Sequence, residues 1–256
     1  MKKGMYYFTF VCVILLVSAV IAEATVITSA PYTITKQGYY KINKNLWSSG
    51  HGITVNANNV TIDLNGYNIS GNGTGDHYGI YMNGRFNVEI RNGTIRNFGS
   101  HGIYEDNPSG HSHRIINVRV MNNKGSGILL EGENHMVKDC TASNNGQCGI
   151  NIYYSSSIVS GNTAYGNGWS GILAGPGATI SGNTAYDNGG SGIVALYGCT
   201  VKNNTAYHNG ENGVYVDGDN LVDGNTAYDN NRSGESYTNI ESCGTCTFGL
   251  NHAPAP

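Results

Sequence analysis

Five charged residues between positions 63 and 138 occupy related places in short alternating stretches: Asp63 in VTIDLNG, Glu89 and Arg91 in VEIRNG, then Arg114 and Lys138. Aligning the stretches on one apolar position (Leu64, Ile90, Ile115, Val137) puts all five on one outward face, a few strand spacings apart. Such a set has the parts to act on an acidic sugar. A lyase needs a cation to neutralise the substrate carboxylate and a base for the α-proton. Arg91, Arg114 or Lys138 would be the cation, and Glu89 or another basic group the base. A hydrolase needs two carboxylates across the scissile bond, and Asp63 and Glu89 are the nearest pair. The bland alternative is a cross-strand ion-pair ladder on a solvated face, each pair contributing under about 1 kcal/mol.

A second cluster comprises His101, Glu105, Asp106, His111, His113 and Arg114, with Asp76 and His77 one repeat earlier. Its spacing matches no metal-binding motif. Glu105 falls where an inward apolar residue is expected, and a buried unpaired carboxylate is costly. Either a local bulge turns Glu105 outward, or it is paired, or it is functional, and Pro108 and Gly110 favour the bulge. The third feature is a strip of Thr-x-Tyr units: Thr163/Tyr165, Thr184/Tyr186, Thr205/Tyr207 and Thr226/Tyr228. As surface residues these suit an extended carbohydrate or a protein partner; as strand residues they simply stack along ladders. A regular threonine array also suits ice, which the intervening tyrosines disfavour.

What must position these groups is a repeat. The tyrosines of the strip recur every 21 residues, and a fixed short period signals a solenoid whose units bury their apolar faces on one another. Four columns extend backwards from it: Leu64 to Val222, Ile69 to Ala227, Ile53 to Val214, and Val55 to Val216. Each apolar position lies between polar ones, the pattern of a strand with one face in and one out. Gly and Asn recur too often for helical repeats. The expected fold is all-β: a right-handed parallel β-helix of about eight coils of 21–27 residues, three short strands per coil. Asn72, Phe98, Asn123, Asn145, Asn167, Asn188, Asn209 and Asn230 form a further column, expected as an asparagine ladder at a turn.

The expected organisation is a secretory signal over 1–24, an N-terminal cap over 25–47, the β-helix over 48–230 and a C-terminal cap over 231–256. Lys2 and Lys3 precede the largely apolar stretch Tyr6 to Ile21, and Ala22-Glu23-Ala24 is a small-x-small cleavage site, with Val20-Ile21-Ala22 as the alternative. The product would be secreted or at the cell surface, without a membrane span. Cleavage takes Lys2, Lys3 and Glu23, moving the formal charge from −3 to −4, which argues against nucleic acid as a partner. Five cysteines then remain. Cys140 and Cys148 are close enough in sequence to bridge, Cys243 and Cys246 to staple the C-terminal cap, and Cys199 reads as a small buried or turn residue.

The run NANNVTIDLNGYNISGNGTGDHYGIYMNGRFNVEIRNGTIRNFGSHGIY (Asn56 to Tyr104) and the NTAYxNGxxGI coils resemble exported right-handed β-helix repeat proteins. These form the broad pectate-lyase-like class, with its carbohydrate-binding, sugar-hydrolase and NosD-like members. That resemblance implies polysaccharide lyases, hydrolases, epimerases, adhesins and proteins without catalysis. The class's catalytic signatures are missing: Asn-Thr is followed by Ala in each coil, and Asp-Asp, Arg-x-Lys, DPHD and calcium-binding GGxGxD sequences do not occur. The expectation is therefore a non-catalytic protein that binds a polysaccharide, a cell-surface glycan or another surface partner through Tyr165, Tyr186, Tyr207, Tyr228, Thr184 and Thr205. The alternative is an enzyme of the polysaccharide-lyase or hydrolase type using the five charged residues. No cofactor is expected, with calcium only in the lyase case.

Overall fold

A computed structural model describes residues 24–234 and 237–254. The expected signal segment and its cleavage site lie outside the described residues apart from Ala24. The chain coils as a right-handed parallel β-solenoid of about ten turns, and the described residues contain no helix. Among the described residues no helix is long and apolar enough to cross a membrane. Ten strands from Tyr32–Ile34 to Ile240–Cys243 stack as one sheet, and eighteen form the other. The count exceeds the eight repeats seen in the sequence because both ends stack as coils too. Thr25–Ile27 pairs with Gly38–Ile42, and Thr247–Phe248 with Leu221–Asp223, both in parallel.

The inward columns are those the alternation marks, with one exception. Ile53, Ile80, Ile103, Ile128, Ile150, Ile172, Ile193 and Val214 align residue on residue and are fully buried. The exception is the first column. Ile62, not Leu64, lies beside Ile90, so Asp63 aligns with Arg91 and Thr61 with Glu89. Leu64 is still buried, beneath Gly93, where a β-carbon would come within 2.3 Å of it. A slip of two residues preserves the in-out alternation, so the pattern alone does not exclude it.

The corners are held by stacked polar side chains. Asn123, Asn145, Asn167, Asn188, Asn209, Asn230 and Asn239 form one ladder, each side-chain amide donating to the next side-chain oxygen at 2.9–3.0 Å. Each oxygen also accepts the backbone N–H of the preceding rung, as Asn188 does from Asn167. The residue before the rung takes the left-handed conformation, for example Asn144 (φ 53°) and Asp187 (φ 52°); the rungs themselves do not. Asn72 is exposed and stays outside the ladder, while Phe98, the next residue of the column, is a buried ring whose backbone N–H donates to Asn123 Oδ1. A second ladder, Asn162, Asn183, Asn204, Asn225 and Asn251, runs along another corner at 2.9–3.0 Å.

The five cysteines among the described residues remain thiols. Cys140, Cys148 and Cys199 are buried, and Cys243 and Cys246 are unbonded. Cys140 heads the second asparagine column, its N–H accepted by Asn162, and its thiol donates to backbone carbonyls. Cys148 lies before the strand Ile150–Ile152, in a different corner, so the two do not meet. Burial pushes their thiols up, to about 12 at Cys140 and about 11 at Cys148.

Candidate functional site

Four of the five charged residues meet. Arg91 Nε lies 3.0 Å from Asp63 and its Nη1 2.9 Å from Glu89; Arg114 Nε lies 2.9 Å from the other oxygen of Glu89 and its Nη1 2.9 Å from Asn87 Oδ1. Asp63 accepts further hydrogen bonds from the Tyr39 hydroxyl, the Asn65 amide and the Asn92 side chain. Burial pushes the Asp63 carboxyl up, but the Asn65, Asn92, Tyr39 and Arg91 donors outweigh it and hold it below the usual carboxylate range. Lys138 does not join. It aligns with Ile116 and Ser160, and its ammonium lies 3.7 Å from exposed Asp139. Beside the ladder is a cavity of about 220 Å³, lined by Gly66, Asn92, Gly93, Asn117 and Arg119. The long turns around Asp76 and Pro108 to His113 do not wall it.

The second cluster separates. Glu105 points inward and is fully buried, contrary to the bulge expected from Pro108 and Gly110. Its carboxyl accepts the N–H groups of Gly84 (2.6 Å) and Arg85 (3.2 Å) and lies 3.2 Å from His113 Nε2. Gly110 makes the room, since a β-carbon there would come within 2.5 Å of the Glu105 carboxyl carbon. His113 Nδ1 accepts the Val88 N–H, which leaves the proton on Nε2, facing Glu105. His135 repeats the device one coil on. Its Nδ1 accepts the His113 N–H, its Nε2 lies 3.0 Å from the Glu131 carbonyl, and the two imidazoles stack at 5.0 Å. These histidines therefore act as ladder rungs.

His101 and Asp106 go instead to the outside of the ten-stranded sheet. There His51, Tyr78 and His101 stack along the rod at 5.0 and 6.0 Å, with Tyr81 and Tyr104 against them. Both tyrosine hydroxyls donate to Asp106. Burial and the Asp106 hydrogen bond raise the Tyr104 phenol, so it is a neutral donor rather than a base at neutral pH. Among the described residues no three His, Cys, Asp or Glu side chains converge as a metal site.

The Thr-x-Tyr strip aligns in register: Thr163, Thr184, Thr205 and Thr226 in one outward row, Tyr165, Tyr186, Tyr207 and Tyr228 in the other. The rings stack at 4.9, 5.0 and 5.3 Å, with planes within 6° of parallel. Their faces therefore cover one another, and the row turns edges and phenols outward rather than a platform of ring faces. Burial, then the neighbouring phenols, push Tyr186 and Tyr207 up, so both are neutral hydroxyls at ordinary pH.

The profile described as "Right handed beta helix region" matches residues 32–174 and 78–231. The chain belongs to that family. Among solved structures it is similar to the A-module of the Azotobacter vinelandii mannuronan C-5 epimerase AlgE4, with a TM-score of 0.70 at 18% identity, over 84% of this chain and 68% of that one. It is also similar to the periplasmic alginate epimerase AlgG (TM-score 0.61, 19% identity, 86% of this chain and 62% of that one). The Dettilon tailspike protein follows the same path at a TM-score of 0.57 and 18% identity, over 88% of this chain and 55% of that one. This chain spans less than two thirds of the latter two. No curated protein matches it. At these identities the likeness is one of fold.

Sequence reasoning missed three arrangements of this β-helix. The second asparagine column was present, from Asn162 to Asn225, as the Asn of each Gly-Asn-Thr or Asn-Asn-Thr unit, at the same spacing as the tyrosines. The His51–Tyr78–His101 stack was signalled by a polar or aromatic residue before each Gly-Ile. The third arrangement is a break in one outward column at Gly190, between Trp169 and Glu211.

Proposed function

We propose that this protein is an exported polysaccharide-binding rod whose late coils hold an extended glycan along the Thr-x-Tyr strip. The observation that carries this reading is the registered pair of rows. Four threonines and four stacked tyrosines repeat one hydroxyl pattern per coil, at about 4.8 Å. A repeating ligand lying along the rod meets the same donors and acceptors at each step, which a single-pocket ligand does not need. The charged face supports binding over turnover, because the carboxylates and guanidiniums of Asp63, Glu89, Arg91 and Arg114 are engaged with one another. The similar solved structures include alginate epimerases and a tailspike, and the periplasmic one among them is consistent with export. Replacing Tyr186 and Tyr207 together by Ala should weaken glycan retention by more than about 1 kcal/mol, since aromatic contacts dominate such surfaces, with the β-sheet spectrum intact. A glycan array on which the wild-type protein retains nothing, or a double variant that binds unchanged, would leave the strip as a strand-stabilising ladder.

A further inference from the structure

Just past the tyrosine row, the turn into the ten-stranded sheet carries an outward column of Gln147, Trp169, Gly190 and Glu211. Backbone bonds link it coil to coil: Trp169 N–H to the Gln147 carbonyl (3.3 Å), Gly190 to Trp169 (3.1 Å) and Glu211 to Gly190 (3.3 Å). Between Gln147 and Glu211 the column lacks a side chain at Gly190, as it does again at Gly125 one coil before Gln147, and a cavity of about 290 Å³ opens at Gly190, lined by Gly168, Trp169, Ser170, Gly189, Gly190 and Glu211. Trp169 is 57% exposed, the largest side chain on this wall. Glu211 is tied at the opposite side by the Ser191 hydroxyl at 3.1 Å.

We propose that this notch is a subsite for one neutral pyranose residue, seated between the Trp169 indole and the Glu211 carboxylate. Two coils separate the walls, about 10 Å, and a ring in contact on both sides needs about 7–8 Å. The volume lies near the lower end of small-ligand sites, about 300 Å³, which suits one sugar. The indole supplies apolar contact for the C–H face of the ring. The N–H groups of the three glycines are bonded to the preceding coil, so the Glu211 carboxylate and the Ser170 hydroxyl in the lining are what offer acceptors and a donor to its hydroxyls. The charge selects the sugar. Glu211 is the one ionisable group lining the cavity, and Arg232 in the next coil has its guanidinium on Asp187 at 2.9 Å, so a uronate would meet like charge without a cation. A cationic ligand would favour a cage of several rings, and here one ring stands against a polar floor.

The inference rests on reading the rod as a polysaccharide binder, and the test separates the two. The protein has two tryptophans, so Trp47→Phe leaves Trp169 as the sole indole reporter. Methyl glucoside and cellotetraose should shift its emission, with tetramannuronate at least about tenfold weaker and choline without effect. Gly190→Gln, which restores the side chain present at Gln147, should abolish the shift. A β-carbon at Gly190 meets nothing nearer than 3.1 Å, and Gly190→Ser serves if the larger variant does not fold. Glu211→Gln should narrow the gap between neutral and acidic sugars. Neutral sugars that leave Trp169 unchanged, a filled notch that titrates like the parent, or equal binding of tetramannuronate or choline each overturn the subsite. The Tyr186/Tyr207 double variant reports on the strip alone. Lost retention of long glycans with no Trp169 response in the parent refutes the subsite and keeps the broader reading. A Trp169 response to methyl glucoside without long-chain retention does the reverse.

Discussion

The coils before Asn123 and those after it share four inward columns but fill them differently. The early coils bury Ile69, Met82, Ile95 and Phe98, and their strands run long, as in Val88–Arg96 and Arg114–Met121. The late coils put Ala142, Ala164, Ala185, Ala206 and Ala227 in one column and are built mostly of three-residue strands such as Thr163–Tyr165. Polar groups follow the same division. Early coils use individual solutions: the Asp63–Arg91–Glu89–Arg114 chain, Glu105 against His113, and rings gathered on Asp106. Late coils use one solution repeated, two parallel asparagine ladders. Narrow cores permit short identical coils, and identical coils present identical outward rows. Wide cores need longer turns, which place one-off groups.

The comparison is broken most severely inside a ladder. Asn188→Leu removes the acceptor for the Asn167 N–H and side-chain amide and the donor to the Ala164 carbonyl and Asn209. Each buried polar group left unpaired costs about 1–3 kcal/mol, so a loss of about 3 kcal/mol or more is expected in urea unfolding. A loss below about 1 kcal/mol would show that the ladder is not what holds the late coils. Glu105→Leu copies Leu130, its neighbour one coil on, and keeps the column apolar. It orphans the Gly84 and Arg85 N–H groups and His113, so about 2 kcal/mol should be lost despite the added hydrophobe. An unchanged midpoint would make Glu105 a dispensable irregularity.

Acid should act first just past the boundary between the two sets of coils, at His135. Burial, then the His113 ring, push His135 down to about 3 from the ordinary 6.5. The folded state thus binds its proton later than the unfolded state. The contribution is fully present above pH about 6.5 and is lost as pH falls toward about 3, with a slope of at most about 1.4 kcal/mol per pH unit. His135→Ser, the residue type at Ser157 in the next coil, should flatten that limb of the stability–pH curve, and an unchanged slope would assign the acid sensitivity elsewhere. The smallest effect belongs to the charged face. Arg91→Ala opens pairs in which the arginine is 36% exposed and the carboxylates of Asp63 and Glu89 only 11% and 14%; because Tyr39, Asn65, Asn92 and Arg114 still donate to those carboxylates, the change should cost about 1 kcal/mol, shrinking in salt. A much larger loss would mean that the face is a structural keystone of the early coils.

The amino-acid sequence by itself determined the solenoid, its period, three of the four inward columns and one asparagine ladder. These are local facts: alternation sets which side chains face in, and a constant spacing sets which residues overlie one another. Where the spacing is irregular, only the stacked structure decided. Leu64 and Ile62 alternate equally well, and lateral pairing with Val88–Arg96 chose Ile62. Glu105 carried the pattern of an inward residue and the chemistry of an outward one; the Gly84 and Arg85 amides and His113, distant in sequence or set by the turn, resolved it inward. Ring orientation along the tyrosine row, closure of the ion pairs and the gap at Gly190 likewise depend on what the neighbouring coil presents. A column can be read from one chain's spacing, but the space between two columns exists only after the coils have stacked.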